Sequence, residues 1–456
     1  MAATSPWPWA GGHGAFNGTG GLVEVQGDLS FKGLQFVADS YALAGGGMLE
    51  TEAGGGELRV LAGATATIGT RIGGTGAIVK TQDGTLVLTG ANTNAGGTRI
   101  EDGVVAVAAD DALGQAGGAL TLDGGVLRVT GDSYRATDRT VLVGVDGGGF
   151  DIAAAGHVFT LGRGILGGGE LYKLGASTLA LAGDNAGFAG SATVTDGRLT
   201  VGAGGLGGPI SVQSGGTLGG SGTLGGAGAA VTIAAGGVHA PGEGLGRQAV
   251  LGDYVLRGTL QIDGAPAAVG GLVAQGRVDI AGSTIEPRFS PAAAEGWSAI
   301  AYPFIIIDNQ GTGAVSGTFA AVDRNLLFLD PQLNHAGGDG NDVTLELVRR
   351  LLRIARAHGQ PVRDRPGDRC PAPRLRGMEH GCADEQRECS APRAGPSVGR
   401  NPCLGAGPAV RGGPFSPPRL RREAPPCGRH GSRQRVLGAG PWIIGRSAGR
   451  AQCRRA

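Results

Sequence analysis

Residues 80–107 read KTQDGTLVLTGANTNAGGTRIEDGVVAV, and 93 positions later residues 173–201 read KLGASTLALAGDNAGFAGSATVTDGRLTV. Each copy opens on a lysine and reaches a Leu-x-Leu pair six residues on, Leu86/Leu88 and Leu179/Leu181. Gly-x-Asn, a further glycine, an Asp-Gly dipeptide and a closing valine follow in both, with one extra residue before the second Asp-Gly. Leu86/Leu88, Val105/Val107, Leu179/Leu181 and Leu199/Val201 alternate with Thr, Ala, Val and Arg, the period of a strand with one buried face. The Gly, Asn and Asp residues fall where the chain must turn, because they tolerate positive φ. Strand, turn, strand, turn at a repeat of about 20–25 residues is the pattern of a coiling β-solenoid. A unit of that size closes no core alone and must stack on its neighbours.

The same texture extends outward from the two copies. Leu, Val and Ile alternate with Thr, Ser, Gln or Arg at 22–25, 34–36, 58–61, 65–68, 120–122, 126–129, 141–143, 159–161, 210–212 and 231–233. One face of each segment is therefore dry and the other wet. No stretch before Pro241 carries a long helical period, and residues 21–241 are expected to make about ten coils. Residues 1–20, rich in Gly and Trp, read as an irregular entry. From 242 the strands lengthen and larger side chains gather, among them Trp297, Tyr302, Phe304, Phe319 and Phe328. Larger side chains bury more area, so residues 242–349 are expected to form a stable C-terminal cap. The fold expected is all-β: a right-handed parallel β-helix with a C-terminal β cap, followed by a disordered tail at 350–456.

Composition tests this reading. Of 456 residues, 93 are Gly and 23 are Pro, close to the range of low-complexity disorder. There is no Gly-x-x period, which excludes collagen, and random Gly-rich sequence would not sustain the alternation. The net charge of +1 averages two unlike parts. Residues 1–350 hold 18 Lys and Arg against 31 Asp and Glu, a balance of −13, while 351–456 hold 21 Arg, no Lys and 7 acids, a balance of +14. All six Cys (370, 382, 389, 403, 427, 453) and 14 of the Pro also follow residue 350. Those Cys spacings contain no C-x₂-C pair and do not make a zinc site. Arginines scattered among Pro and Gly, with Phe415 and Trp442 as the only aromatics, do not make a nucleic-acid arm. No run reaches the ~18 apolar residues of a spanning helix, and residues 1–21 lack the basic and apolar regions of a secretory signal.

These segments, taken together and in order, resemble the passenger domains of autotransporters, the type V secreted proteins, of the pertactin-like kind. Residues 84–107 and the more diverged 177–201 are similar to that family's passenger-associated transport repeat. GGTLGGSGTLGG at 215–226 and IAAGGVHAPGEG at 233–244 resemble the stretch that follows it. Residues 252–263 through 317–349 resemble the passenger cap, which in relatives acts as an autochaperone. The resemblance, spanning about 20–349, implies a structural or adhesive β-helical rod presented to host or neighbouring cell surfaces. It implies a cell-surface, outer-membrane location for the intact parent. In the family a signal peptide precedes the passenger and a β-barrel translocator follows it. Neither pattern is read here, so the chain is expected to be a fragment that stays in the cytoplasm as written. Arg-, Pro-, Gly- and Cys-rich text after 350 is what a GC-rich gene yields out of frame, and a frameshift is expected near 349–353.

The residues give little chemistry to set against this. Asp110-Asp111 lie side by side, and neighbours on a strand face opposite ways, so a solvated turn is expected. His13, His157, His239 and His335 are widely spaced, with no i, i+4 pair for a metal and no partner for a nucleophilic serine. Gly131-Asp132-Ser133-Tyr134 lacks the glycines of a serine-protease loop. Gly337-Gly338-Asp339-Gly340-Asn341-Asp342 is one copy of a calcium β-roll nonapeptide, which needs consecutive copies, so a hairpin turn is expected. Glu24, Asp123, Asp151 and Asp196 read as dispersed acids, whereas a β-helical lyase or hydrolase needs acids clustered in a groove. The expectation is no enzyme, no catalytic, cofactor or metal residues and no cofactor. The rivals are a carbohydrate-active β-helix enzyme and a nonfunctional remnant.

Overall fold

The computed structural model describes residues 11–289, 303–323 and 329–349. The expectations for 350–456, and those resting on Trp297, Tyr302 and Phe328, lie outside these residues. The described chain is a parallel β-solenoid whose turns visit three faces in a fixed cycle. The first face is an eight-stranded sheet running from His13–Phe16 to Ile165–Gly167. The second is a thirteen-stranded sheet from Leu22–Glu24 to Val278–Asp279. The third begins as three strands, Asp28–Phe31, Met48–Thr51 and Arg71–Gly74, lapses for two turns, and resumes at Ala136–Thr137. It then runs to Ala321–Val322. The only helical element among the described residues is the 3₁₀ turn Asp110–Leu113.

Parallel register carries each inward residue onto its equivalent one turn away. On the first face Leu34, Leu58, Lys80, Ile100, Leu122 and Val143 stack in one row. On the second, Ile68, Leu88, Val107, Val129 and Ile152 do the same. These aliphatic side chains are fully or almost fully buried, and each contributes about 1.5–3 kcal/mol on leaving water. Aromatic rows fill the wider rungs: Phe16 stacks on Phe36 at 4.7 Å, and Phe159 meets both Tyr134 and Phe150. Many outward positions are Thr, Ser, Gln, Glu or Arg, giving the buried-exposed alternation the sequence carries.

Two details differ from the sequence reading. His13–Phe16, read as irregular, is a strand paired with Gly33–Phe36, because its small and aromatic residues continue the first-face row. Within 21–241 the second face holds eleven strands rather than ten. Parallel stacking then runs on through Pro241. The stack ends where Phe304–Asn309 pairs parallel with Gly271–Ala274 on one side and antiparallel with Asp342–Arg349 on the other. Asp342–Arg349 pairs in turn with Leu329–Gly337, so an antiparallel hairpin closes the first face.

Candidate functional site

Each sequence copy folds as two strands, a strandless corner carrying the Gly-x-Asn, and two more strands. In the first copy Ile78–Thr81 and Thr98–Ile100 lie on the first face, Thr85–Leu88 and Val104–Val107 on the second. In the second copy Leu171–Leu174 and Ala192–Val194 lie on the second face, Thr178–Leu181 and Gly197–Val201 on the third. The repeat is therefore displaced by four turns and one further face, and its construction does not depend on which face it occupies.

Its opening lysines point inward. Lys80 and Lys173 are buried in the aliphatic rows, Lys80 between Leu58 and Ile100 and Lys173 between Phe150 and Val194. The Lys80 ammonium donates to the carbonyls of Thr81, Gln82 and, one turn on, Asp102. That of Lys173 donates to Leu174 (2.8 Å), Gly175 (2.6 Å) and Asp196 (3.1 Å) in the same geometry. Three donors meet three acceptors, so the cation is satisfied without an ion pair. Burial pushes both down to about 8, with nearby carboxylates opposing the shift. The Asp-Gly dipeptide supplies the last acceptor in each case. Its glycine sits at φ +65° in Gly103 and +66° in Gly197, and a Cβ on either would run into carbonyls of the corner one turn below.

The asparagine makes up for the missing strand. Asn92 accepts the Ile72 N–H at 2.7 Å and donates to the Ala112 carbonyl at 2.6 Å, bridging the turns on either side. Asn185 accepts the Ile165 N–H at 2.9 Å and donates to the Gly183 carbonyl. Both side chains are buried. Where a rung lacks a strand, a side-chain amide takes over part of the ladder.

The outer surface gathers charge at the corners. Glu57, Glu101, Asp102, Asp123 and Asp146 share a shallow concavity of about 450 Å³ with Arg99. Arg99 reaches Glu101 and Asp123, both at 2.7 Å. Next to it Asp83 is raised, first by its side-chain hydrogen bond to Asp102. Among the described residues no three His, Cys, Asp or Glu converge as a metal site.

A family model described as passenger-associated-transport-repeat matches residues 78–107 and 171–201, the two corners just described. The adhesin BmaC autotransporter of Brucella suis biovar 1 (strain 1330) is 38% identical over 212 residues, which cover 44% of this chain. Over these residues the chain is similar to autotransporter passenger sequence. It spans about 6% of the length of that relative.

The solenoid places the residues singled out in its sequence as follows. Asp110 is not a freely solvated turn residue. Its carboxylate accepts from Tyr134 (2.9 Å), Thr137 (2.7 Å) and Nε of the buried Arg139, at 3.0 and 3.1 Å. Arg139 spends its other four N–H groups on the carbonyls of Asp110, Gly114, Gln115 and Gly118, which fastens the loop that replaces a third-face strand. Burial would raise the Asp110 pKa, but the bonds from Arg139, Thr137 and Tyr134 outweigh it and hold the carboxyl below its usual value. Asp111 beside it is exposed. The partner of Asp110 lies 29 residues away, beyond any local pattern.

Asp123 is not dispersed either. The register places it one turn from Glu101 and Asp146, so acids about 22 residues apart in sequence become neighbours in space. Asp151 pairs with Arg128 at 2.7 Å, Asp196 forms the Lys173 corner, and Glu24 lies exposed near the first turn. His157 bonds the Tyr134 carbonyl at 2.8 Å, His335 accepts the Phe319 N–H, and His13 is exposed. His239 is wholly buried and bonded to Tyr254 and Gln248. Tyr134 of the Gly131–Tyr134 segment is a core residue, with its hydroxyl on Asp110. Residues 337–342 form the hairpin turn between the last two strands, and the Asp342 carboxylate accepts the Asn309 N–H at 2.9 Å. The lysine, asparagine and arginine clamps were missed from sequence. The recurrence of Lys and Asn at equivalent places was the one available signal, and alone it does not say that the side chains turn inward.

Proposed function

We propose that this passenger is a structural and adhesive solenoid displayed on the bacterial surface, binding host or neighbouring cells through contacts spread along its outward faces. The similarity over 212 residues to an autotransporter named as an adhesin carries this reading. The physical form supports it. Turns that stack without large insertions offer long, regular, polar faces, and such faces suit many shallow contacts better than one deep pocket. In this reading residues 21–241 are the presenting stack, and 242–349 are the cap that, as in relatives, seeds folding outside the cell. The parent protein is placed at the outer membrane, and its target is a cell-surface component.

The test is adhesion of beads coated with the full chain to fixed epithelial cells and to bacteria, against beads carrying an unrelated β-solenoid of similar charge. Retention well above that control, competed by soluble chain, is expected. Equal retention on both bead types would remove the adhesive reading. A parallel screen for new reducing ends on acidic and neutral polysaccharides is expected to show none, and their release would favour the carbohydrate-active reading instead.

A further inference from the structure

One buried polar chain crosses the whole core. In the turn at 238–256, Val238–Pro241 occupies the third face, Arg247–Val250 the first and Tyr254–Leu256 the second. His239 stands at its centre, fully buried, with Nδ1 2.8 Å from the Tyr254 hydroxyl and Nε2 3.0 Å from Gln248 Oε1. Gln248 in turn points its amide nitrogen at the Gly219 carbonyl, at 3.4 Å. With the amide in this orientation the directions are consistent for a neutral ring. Tyr254 O–H donates to Nδ1, Nε2–H donates to Gln248, and Gln248 donates to Gly219. A single histidine thus ties the three faces of one turn together.

This turn also sits where the first face is weakest. Between Ile165–Gly167 and Arg247–Val250 that face has no continuous ladder and is held by the isolated bridges Asn185 to Leu206, Leu206 to Leu224 and Leu224 to Val250. The five-stranded sheet that ends in the closing hairpin starts at Arg247–Val250.

We propose that the turn at 238–256 is an acid-opened joint: protonation of His239 breaks the chain across the core and loosens the capped C-terminal end from the repeats. An imidazolium carries two N–H donors. Its Nδ1–H would face the Tyr254 hydroxyl, whose own hydrogen must then turn into an apolar interior. The groups around it offer no compensation. The adjoining strands present Leu218 and Leu260 in the same row, Tyr254 and Gln248 are neutral, and Arg198, whose guanidinium lies over Gly219, repels a second cation. Burial, the largest influence, holds the ring down to about 4 against 6.5 when free. The folded state therefore binds fewer protons than the unfolded one between these values. The stability this chain contributes is full above about pH 6.5 and is lost as pH falls toward about 4.

The experiment is backbone hydrogen exchange on the full chain from about pH 7 to about 4.5, corrected for intrinsic rate. Protection is expected to fall about tenfold or more in 238–256 and in Gly271–Ala274, while Ile78–Thr81 and Val104–Val107 hold theirs. In His239→Gln, which keeps a neutral donor and acceptor, the local fall should disappear. A loss spread evenly along the solenoid, or an unchanged pH dependence in His239→Gln, overturns the proposal. Should that variant not fold, the wild-type imidazole carbon shifts decide. Titration near the free value, with protection unaltered, likewise overturns it.

Discussion

Lys80 and Lys173 show how one side chain can serve a repeat on any face. A lysine in an aliphatic row is costly unless each of its three hydrogens finds an acceptor, and the corner supplies three carbonyls that the turn leaves free. Lys80→Met keeps the apolar stem and removes the donors. It is expected to cost about 2–4 kcal/mol at neutral pH, read as a lower urea midpoint. An unshifted midpoint would mean water replaces the ammonium. The pH dependence has a definite sign. The folded value near 8 lies below the free 10.5, so the unfolded chain holds more protons between them. Stability should rise as pH climbs from about 8 to about 10.5, and Lys80→Met together with Lys173→Met should flatten that rise. The glycine of the same corner is as constrained. Gly103→Ala forces a methyl group onto backbone carbonyls at φ +65°, and a loss of more than about 1 kcal/mol in the same assay is expected.

The strandless corners show which elements a sequence of this kind declares and which it conceals. Alternation of period two marks Thr85–Leu88 or Thr178–Leu181 as strands because each buries its own leucines, a local property. It does not say that the first pair lies on the second face and its counterpart on the third, since that depends on how many residues every earlier turn uses. Nor does it reveal Asn92, which reads as a turn residue and acts as a ladder partner for Ile72, 20 positions earlier. The acidic concavity and the Asp110–Arg139 clamp were hidden for the same reason: a spacing of one or more turns has no local signature. Asn92→Ala should strand the Ile72 N–H and the Ala112 carbonyl, at about 1–3 kcal/mol, with exchange quickening first at Ile72. Arg139→Met leaves the Asp110 carboxylate and four loop carbonyls without their donor. It should cost about 3–5 kcal/mol and open the 109–119 loop to limited proteolysis. Protease resistance equal to wild type would show the loop held by its own backbone.

Across the stack, the physical unit is the complete turn, and length is a number of turns rather than a property of the sequence as a whole. Each turn touches only those before and after it, so stability is close to a sum of single-turn and neighbour terms. Second-face strands begin 18–24 residues apart, and no turn needs the same length as the next provided its three inward rows keep register. Removing residues 210–230 tests this directly. The register pairs Ala192 with Ile210 and Ile210 with Val231, Arg198 with Thr217 and Thr217 with Val238, and Leu206 with Leu224 and Leu224 with Val250. Deletion of that turn brings Val231 onto Ala192, Val238 onto Arg198 and Val250 onto Leu206, so all three rows close again. Far-UV circular dichroism per residue and a cooperative urea transition should both survive. Removing only residues 210–219 instead moves all that follows back by about half a turn, so that third-face sequence such as Val238–Pro241 arrives at second-face positions and the buried rows no longer meet. That variant should lose the cooperative transition. If the two deletions behave alike, the stack is not what holds this chain together.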